Sequence, residues 1–240
     1  DEPGETKSEK DGRYVVGTRV APDAVTARTP EMLTGVEDAM AEIVADDELL
    51  CAVLTASGDR AFCTGMDLKE AMPLLTSGEE LGFEDHTKRQ FSDVWKPIIA
   101  AVNGYCIAGG LEMLQGTDIR IAAEHAVFGL GEVRWGIIPT GGSHVKLPRQ
   151  IPWAVAMEWL LTGENIDAER AHSVGLVNRV VPADELDQEV ASWCAEIVAK
   201  SPTAIALAKS SINADSESIA GLSRLGVPSL RLFPDTDGSS

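Results

Sequence analysis

Two glutamates and two glycine-bearing turns have residue types and surroundings that could do chemistry. Glu112 lies among Leu111, Met113 and Leu114, and Glu132 lies in Phe128-Gly129-Leu130-Gly131-Glu132-Val133. A carboxylate in apolar company loses hydration of its charged form. Its pKa therefore rises toward the range useful for general acid–base work. The first turn is Ala61-Phe62-Cys63-Thr64-Gly65-Met66-Asp67-Leu68-Lys69, and the second is Asn103-Gly104-Tyr105-Cys106-Ile107-Ala108-Gly109-Gly110-Leu111-Glu112. Each follows an apolar, strand-like run and opens a helical stretch. A helix start offers free N–H groups and the positive end of a dipole. Two such turns side by side could aim two backbone N–H groups at one oxygen, the geometry of an oxyanion hole. Taken singly, a glycine turn or a glutamate is more often structural. Together they make acid–base chemistry beside a stabilised oxyanion a competitive reading.

The elements that must position these residues follow from periodicity. Short apolar runs at Cys51–Thr55, Ile98–Val102 and Ile119–Ala123 predict buried strands, and Arg13–Val20 predicts an earlier one. Between them, Pro30–Val44 repeats Met32, Leu33, Val36, Met40 and Ile43 at helical spacing, with Thr29 as a cap and Pro30 at the first position. Continuous apolar strands separated by helices signal a parallel sheet covered on both faces. Beyond Pro152 the chain reads as helical over 154–162, 167–174, 183–200 and 202–212. The charged stretch from Leu68 to Trp95, broken by Pro73 and Gly78, reads as a helix and loop placed to cover a ligand site.

The net charge of −18 argues against nucleic acid and anionic membranes as partners. No run approaches the ~18 apolar residues of a membrane span. The polar stretch Asp1–Lys10 does not read as a secretory signal, and the absence of an initial Met suggests a processed or cut chain. Cys51, Cys63, Cys106 and Cys194 lack metal-ligand spacing; Cys51 and Cys106 read as buried reduced thiols, which fits a cytoplasmic setting. His86, His125, His144 and His172 show no ligand spacing either, so no metal is expected. No Gly-x-Ser-x-Gly elbow occurs, and Ser143 beside His144 reads as part of the Gly141-Gly142 turn.

The two turns, the Glu132 segment, Gly136-Ile137-Ile138-Pro139, Leu160–Glu164 and Gly175–Pro182 together resemble the motifs of the enoyl-CoA hydratase/isomerase (crotonase) family, in the expected order from about residue 22 to about 210. The resemblance implies an α/β fold of the ClpP/crotonase type, built of repeated ββα units with a C-terminal helical region. Composition and element pattern divide the chain into a disordered arm (1–12), an α/β core (13–150) and a helical region (151–240), and the resemblance implies that the core holds CoA and the active site and that the helical region serves packing and oligomerisation. It implies that the backbone N–H groups of Met66 and Gly109 hold the thioester oxygen, and that Glu112 and Glu132 are the acid/base pair. It also implies that Asp23, Ala24, Val25, Ala27, Thr64, Asp67, Leu68, Ala108, Pro139 and Gly142 line the CoA and substrate site. The implied partner is an acyl-CoA thioester, with coenzyme A part of the substrate and no separate cofactor. The implied assembly is a trimer or a dimer of trimers. Retention of both glutamates favours addition of water across the 2,3 double bond of a 2-enoyl-CoA. An enoyl-CoA isomerase, an acyl-CoA hydrolase and a non-catalytic CoA-binding protein are the alternatives.

Overall fold

The structure, a computed structural model, describes residues 5–12, 14–20, 30–65, 91, 94–139 and 141–213. The strands are β1 (Glu5–Asp11), β2 (Tyr14–Val20), β3 (Cys51–Ala56), β4 (Ala61–Cys63), β5 (Ile98–Val102), β6 (Tyr105–Ile107), β7 (Ile119–Ala123), β8 (Val127–Gly129), β9 (Asn165–Asp167) and β10 (Arg179–Val181). The helices are α1 (Pro30–Ala45), α2 (Gly109–Leu114), α3 (Ser143–Gln150), α4 (Trp153–Thr162), α5 (Ala168–Ser173), α6 (Leu186–Val198) and α7 (Pro202–Asn213).

From β3 to β8, consecutive strands alternate between two sheets. One has the order β1-β2-β3-β5-β7-β10 and the other β4-β6-β8-β9. Thus β3–β4, β5–β6 and β7–β8 are successive repeats, the first strand of each in the large sheet and the second in the small one. The repeats stack in parallel, with Ala52 opposite Ile98 and Ile99 opposite Ile119 in the large sheet. In the small sheet Ala61 lies opposite Tyr105 and Cys106 opposite Phe128. This is the expected repeat of ββα units.

Strand β5 of the large sheet is buried on both faces, and side-chain alternation shows how. Along β5, Ile98, Ala100 and Val102 enter one core with Val36, Phe62 and Phe128. Ile99 and Ala101 enter a second core with Leu186, Val190 and Cys194 of α6. Both faces need apolar residues, so the strand reads as an unbroken apolar run. Lys96 fastens α1 to this sheet: its Nζ donates to the carbonyls of Ile43 and Asp46, at 2.7 and 2.8 Å, at the helix C-terminal end. All four cysteines are buried, and none is in a disulfide. A hydrogen bond with Cys194 and burial both push the Cys51 thiol up, so it stays protonated.

Three expectations need correction. The arm at 1–12, expected to be disordered, contains β1, which pairs antiparallel with β2 from Glu5 opposite Val20 to Asp11 opposite Tyr14. Its polar sequence hides this because ladder hydrogen bonds come from the backbone. The region after 150 is not purely helical: β9 joins the small sheet and β10 the large one, beside β7. The boundary at 150 therefore cuts through both sheets. The helix expected over 183–200 divides into a 3-10 turn at Ala183–Glu185 followed by α6.

Candidate active site

The site begins where β4 and β6 end. Because these strands run parallel and adjacent, the turns that follow them emerge side by side. Gly65 has φ of 84°, and a Cβ on it would lie 2.9 Å from the Ala108 Cβ and 3.0 Å from the Gly109 nitrogen. A side chain at 65 would therefore strike the second turn. Gly110 is pressed against the Cys63 carbonyl, leaving no space for a Cβ. Two glycines thus let the two turns approach as closely as backbones can.

Ala108 holds an unusual backbone conformation, φ 52° and ψ −124°, immediately before α2. Such angles cost a non-glycine residue ~1–3 kcal/mol and persist where the surroundings enforce them. Here the Ala108 N–H donates to the Gly129 carbonyl at 2.8 Å. Gly109 is the first residue of α2, so its N–H has no intrahelical carbonyl to reach. The N-cap residue, Ala108, has no side chain that could cap this helix end.

One turn into α2, Glu112 is buried at 4% exposure. The loop before α3 lies over its carboxylate: a Cβ on Gly141 would be 2.5 Å from Oε2 and 3.0 Å from Oε1. The Ser143 N–H at the start of α3 donates to Oε1 over a long 3.4 Å. Gly142, with φ of 95°, makes the turn into α3. Pro139 is buried beside it, and its carbonyl meets His144 Nδ1 at 3.1 Å.

Glu132 opens a 3-10 turn (Glu132–Trp135) after β8 and is 9% exposed. Among the described residues, its Oε2 has no hydrogen-bond partner. Burial pushes its carboxyl up from the ordinary 4.5 to about 7; its own backbone opposes the rise, and the negative charge of Glu112 adds to it. A group titrating near neutrality can both take up and release a proton at working pH.

Of the residues singled out in the sequence, Thr64, Ala108, Gly109, Glu112, Glu132, Pro139 and Gly142 are described. Glu112, Pro139 and Gly142 gather around α2 and α3, Thr64 leads into the Gly65–Gly109 contact, and Glu132 is coupled to Glu112 by charge. Asp23, Ala24, Val25, Ala27, Met66, Asp67 and Leu68 lie outside the described residues, as does most of the Leu68–Trp95 segment. Gly65, Gly141, Ser143 and Gln115 complete the site and were not singled out. Gly65 and Gly141 stood in quoted motifs, and Gln115 stands three residues after Glu112, on the same helical face. Among the described residues, no group of three or more His, Cys, Asp or Glu side chains could hold a metal. A cavity of about 500 Å³ lies elsewhere, lined by Pro97, Arg120, Leu176, Ile205 and Lys209 among others, and neither glutamate borders it.

Comparison with known proteins agrees with this architecture. A family model for enoyl-CoA hydratase/isomerase matches residues 18–226. A short-chain-enoyl-CoA hydratase of Clostridium acetobutylicum is 36% identical over 207 residues, 85% of this chain and 79% of that protein. An (E)-benzylidenesuccinyl-CoA hydratase of Thauera aromatica is 38% identical over 196 residues, covering 78% of this chain and 74% of that one. Among solved structures, an enoyl-CoA hydratase of Mycobacterium tuberculosis superposes with a TM-score of 0.81 at 35% identity, covering 95% of this chain and 90% of that chain.

Proposed function

The chain belongs to the enoyl-CoA hydratase/isomerase family, and we propose that it adds water across the 2,3 double bond of a 2-enoyl-CoA thioester. The observation that carries this reading is a buried carboxylate, Glu112, on the helix opened by one of two glycine turns in contact, with a second buried carboxylate, Glu132, whose proton affinity the charge of Glu112 raises.

Conjugation with the thioester makes C3 of the substrate electrophilic. When water attacks there, negative charge gathers on the thioester oxygen as an enolate. The N–H of Gly109, free of the helix ladder, and that of Met66, the residue after Gly65, are assigned to hold that oxygen. Each such donor contributes ~3 kcal/mol to the transition state if mutational costs in other enzymes transfer. Proline at 109 would remove this N–H. Glu132, poised near neutrality, is assigned as the main proton carrier. Glu112 is assigned to share the attacking water. Thr64, Ala108, Pro139 and Gly142 are assigned to the walls of the substrate site, with Asp23, Ala24, Val25, Ala27, Asp67 and Leu68 toward the CoA moiety. No further cofactor is required, since coenzyme A arrives with the substrate. Four buried cysteines, none of them in a disulfide, suit a reducing, cytoplasmic setting. The working assembly is a trimer or a dimer of trimers.

A set of 2-enoyl-CoA thioesters, short-chain and aryl-substituted, tests the reaction. Loss of enoyl absorbance with formation of the 3-hydroxyacyl-CoA is expected for at least one. A shifted double bond or free CoA as the sole product would instead assign isomerisation or thioester hydrolysis.

A further inference from the structure

We propose that Gln115 and Ser143 form a positioning pair that holds the Glu112 carboxylate in its working place. The inference rests on the hydratase reading and names a device that serves it. Both side chains are fully buried at 0% exposure, although both are polar. Burying an amide and a hydroxyl is costly unless they meet, and they do: Gln115 Nε2 donates to Ser143 Oγ at 2.7 Å. The serine hydroxyl can donate or accept, so the pairing holds for either orientation of the amide. Gln115 Oε1 has no partner among the described residues, so part of the desolvation cost remains uncompensated.

Position gives the pair its purpose. Gln115 follows Glu112 by three residues, so the two side chains leave the same face of the chain. Ser143 is the first residue of α3, and its own N–H addresses Glu112 Oε1. The hydroxyl of one residue thus sets where its backbone N–H points. The far end of α3 is tied to the same segment: Gln150 Nε2 donates to the Gln115 carbonyl at 2.9 Å, and Gln150 Oε1 accepts from Arg120 Nη2 at 2.8 Å. Helix α3 is therefore a splint, anchored through residue 115 at both ends, with its N-terminus against the carboxylate. Fixing a reacting group by packed, hydrogen-bonded neighbours is what keeps its geometry productive.

The test compares Ser143→Ala, Ser143→Thr and Gln115→Leu. Ser143→Ala and Gln115→Leu are each expected to lower kcat by about tenfold with KM changed less than twofold, since ~1 Å of misplacement affects the transition state more than binding. Ser143→Thr keeps the hydroxyl and is expected to retain kcat within about twofold. The double variant Gln115→Leu/Ser143→Ala is expected to be no worse than the poorer single variant, because both remove one interaction. A second readout does not need turnover: the Glu132 carboxyl is titrated by carbon NMR in glutamate-labelled protein. The charge of Glu112 adds to the rise of the Glu132 carboxyl, so a displaced Glu112 shifts the midpoint in Ser143→Ala. Unchanged kcat in Ser143→Ala, equal losses in Ser143→Ala and Ser143→Thr, or an unmoved Glu132 midpoint would each overturn the proposal. A wild-type protein that hydrates no enoyl-CoA would sink the functional reading alone, and the titration would still judge the pair.

Discussion

Glu132 is held in the fold at a cost that depends on pH. Its carboxyl titrates at about 7 in the native state against an ordinary 4.5, chiefly because burial disfavours the charged form. The protonated form is thus the one the fold prefers. The stability associated with that preference is fully present below about pH 4.5 and is lost as pH rises through about 7. Above that range the native protein carries a penalty of about 3 kcal/mol. Glu132→Gln cannot ionise, so its stability relative to wild type should be higher at pH 8 than at pH 5, by up to about 3 kcal/mol. Denaturant melts at the two pH values measure this. An equal offset at both would mean that Glu132 titrates normally. The same variant, and Glu112→Gln, should each lose at least about 100-fold in hydratase turnover while remaining folded. Near-normal turnover in either would remove that residue from the mechanism. At this scale the sequence was informative where the cause is local. Apolar neighbours disclosed that Glu112 and Glu132 are buried. Ser143 was read as part of a turn, because its bond to Gln115 spans 28 residues and nothing in the intervening sequence marks it.

Element formation explains which parts of the site could be foreseen. Strands β5 and β7 were legible to the residue: β5 is an unbroken apolar run because both its faces are buried, and β7 departs from that only at Arg120, whose guanidinium donates to the Leu176 carbonyl. Strands β4, β6, β8 and β9 were not, because each has three residues, too few for any period to register. Yet these short strands bring the two turns together, so the sequence disclosed the turns but not their contact. That contact depends on Gly65. Gly65→Ala would place a Cβ 2.9 Å from Ala108 and 3.0 Å from the Gly109 nitrogen, at a positive φ that disfavours any side chain. The strained backbone alone costs ~1–2 kcal/mol, and relief of the clash must move Gly109. The expected result is a fall in turnover of at least about tenfold in a protein that still melts cooperatively. Retained activity would show that the second turn tolerates displacement and that Gly109 is not a tightly placed donor. Helix α1, by contrast, is bound at its C-terminal end by Lys96, and its start was legible from Thr29, Pro30 and the helical spacing.

For the whole molecule, the apolar residues left outside are as informative as those inside. The segment Ile151–Leu161, which holds most of helix α4, carries more large apolar residues than one helical face could bury. In the structure Ala156 and Trp159 are buried, while Trp153 and Leu161 are 67% and 69% exposed. Trp135 and Ile138, on and just after the 3-10 turn that α4 touches, are 62% and 63% exposed. Scattered exposed leucines need no explanation, but two exposed tryptophans and two large aliphatics on neighbouring elements are the composition of an interface core. A chain with net charge −18 resists self-association at low salt, so contact between copies must rely on such apolar surface. The prediction is a solution mass near three or six times the 25.5 kDa of one chain, by light scattering at micromolar concentration. Screening weakens repulsion between like-charged protomers beyond ~8 Å at physiological salt, so association should strengthen from low to moderate salt. Trp153→Glu combined with Leu161→Glu should shift the mass toward that of one chain without unfolding it, since both side chains are exposed in the protomer. A wild-type mass near 25.5 kDa would refute assembly. A trimer indifferent to the double substitution would place the interface on another face.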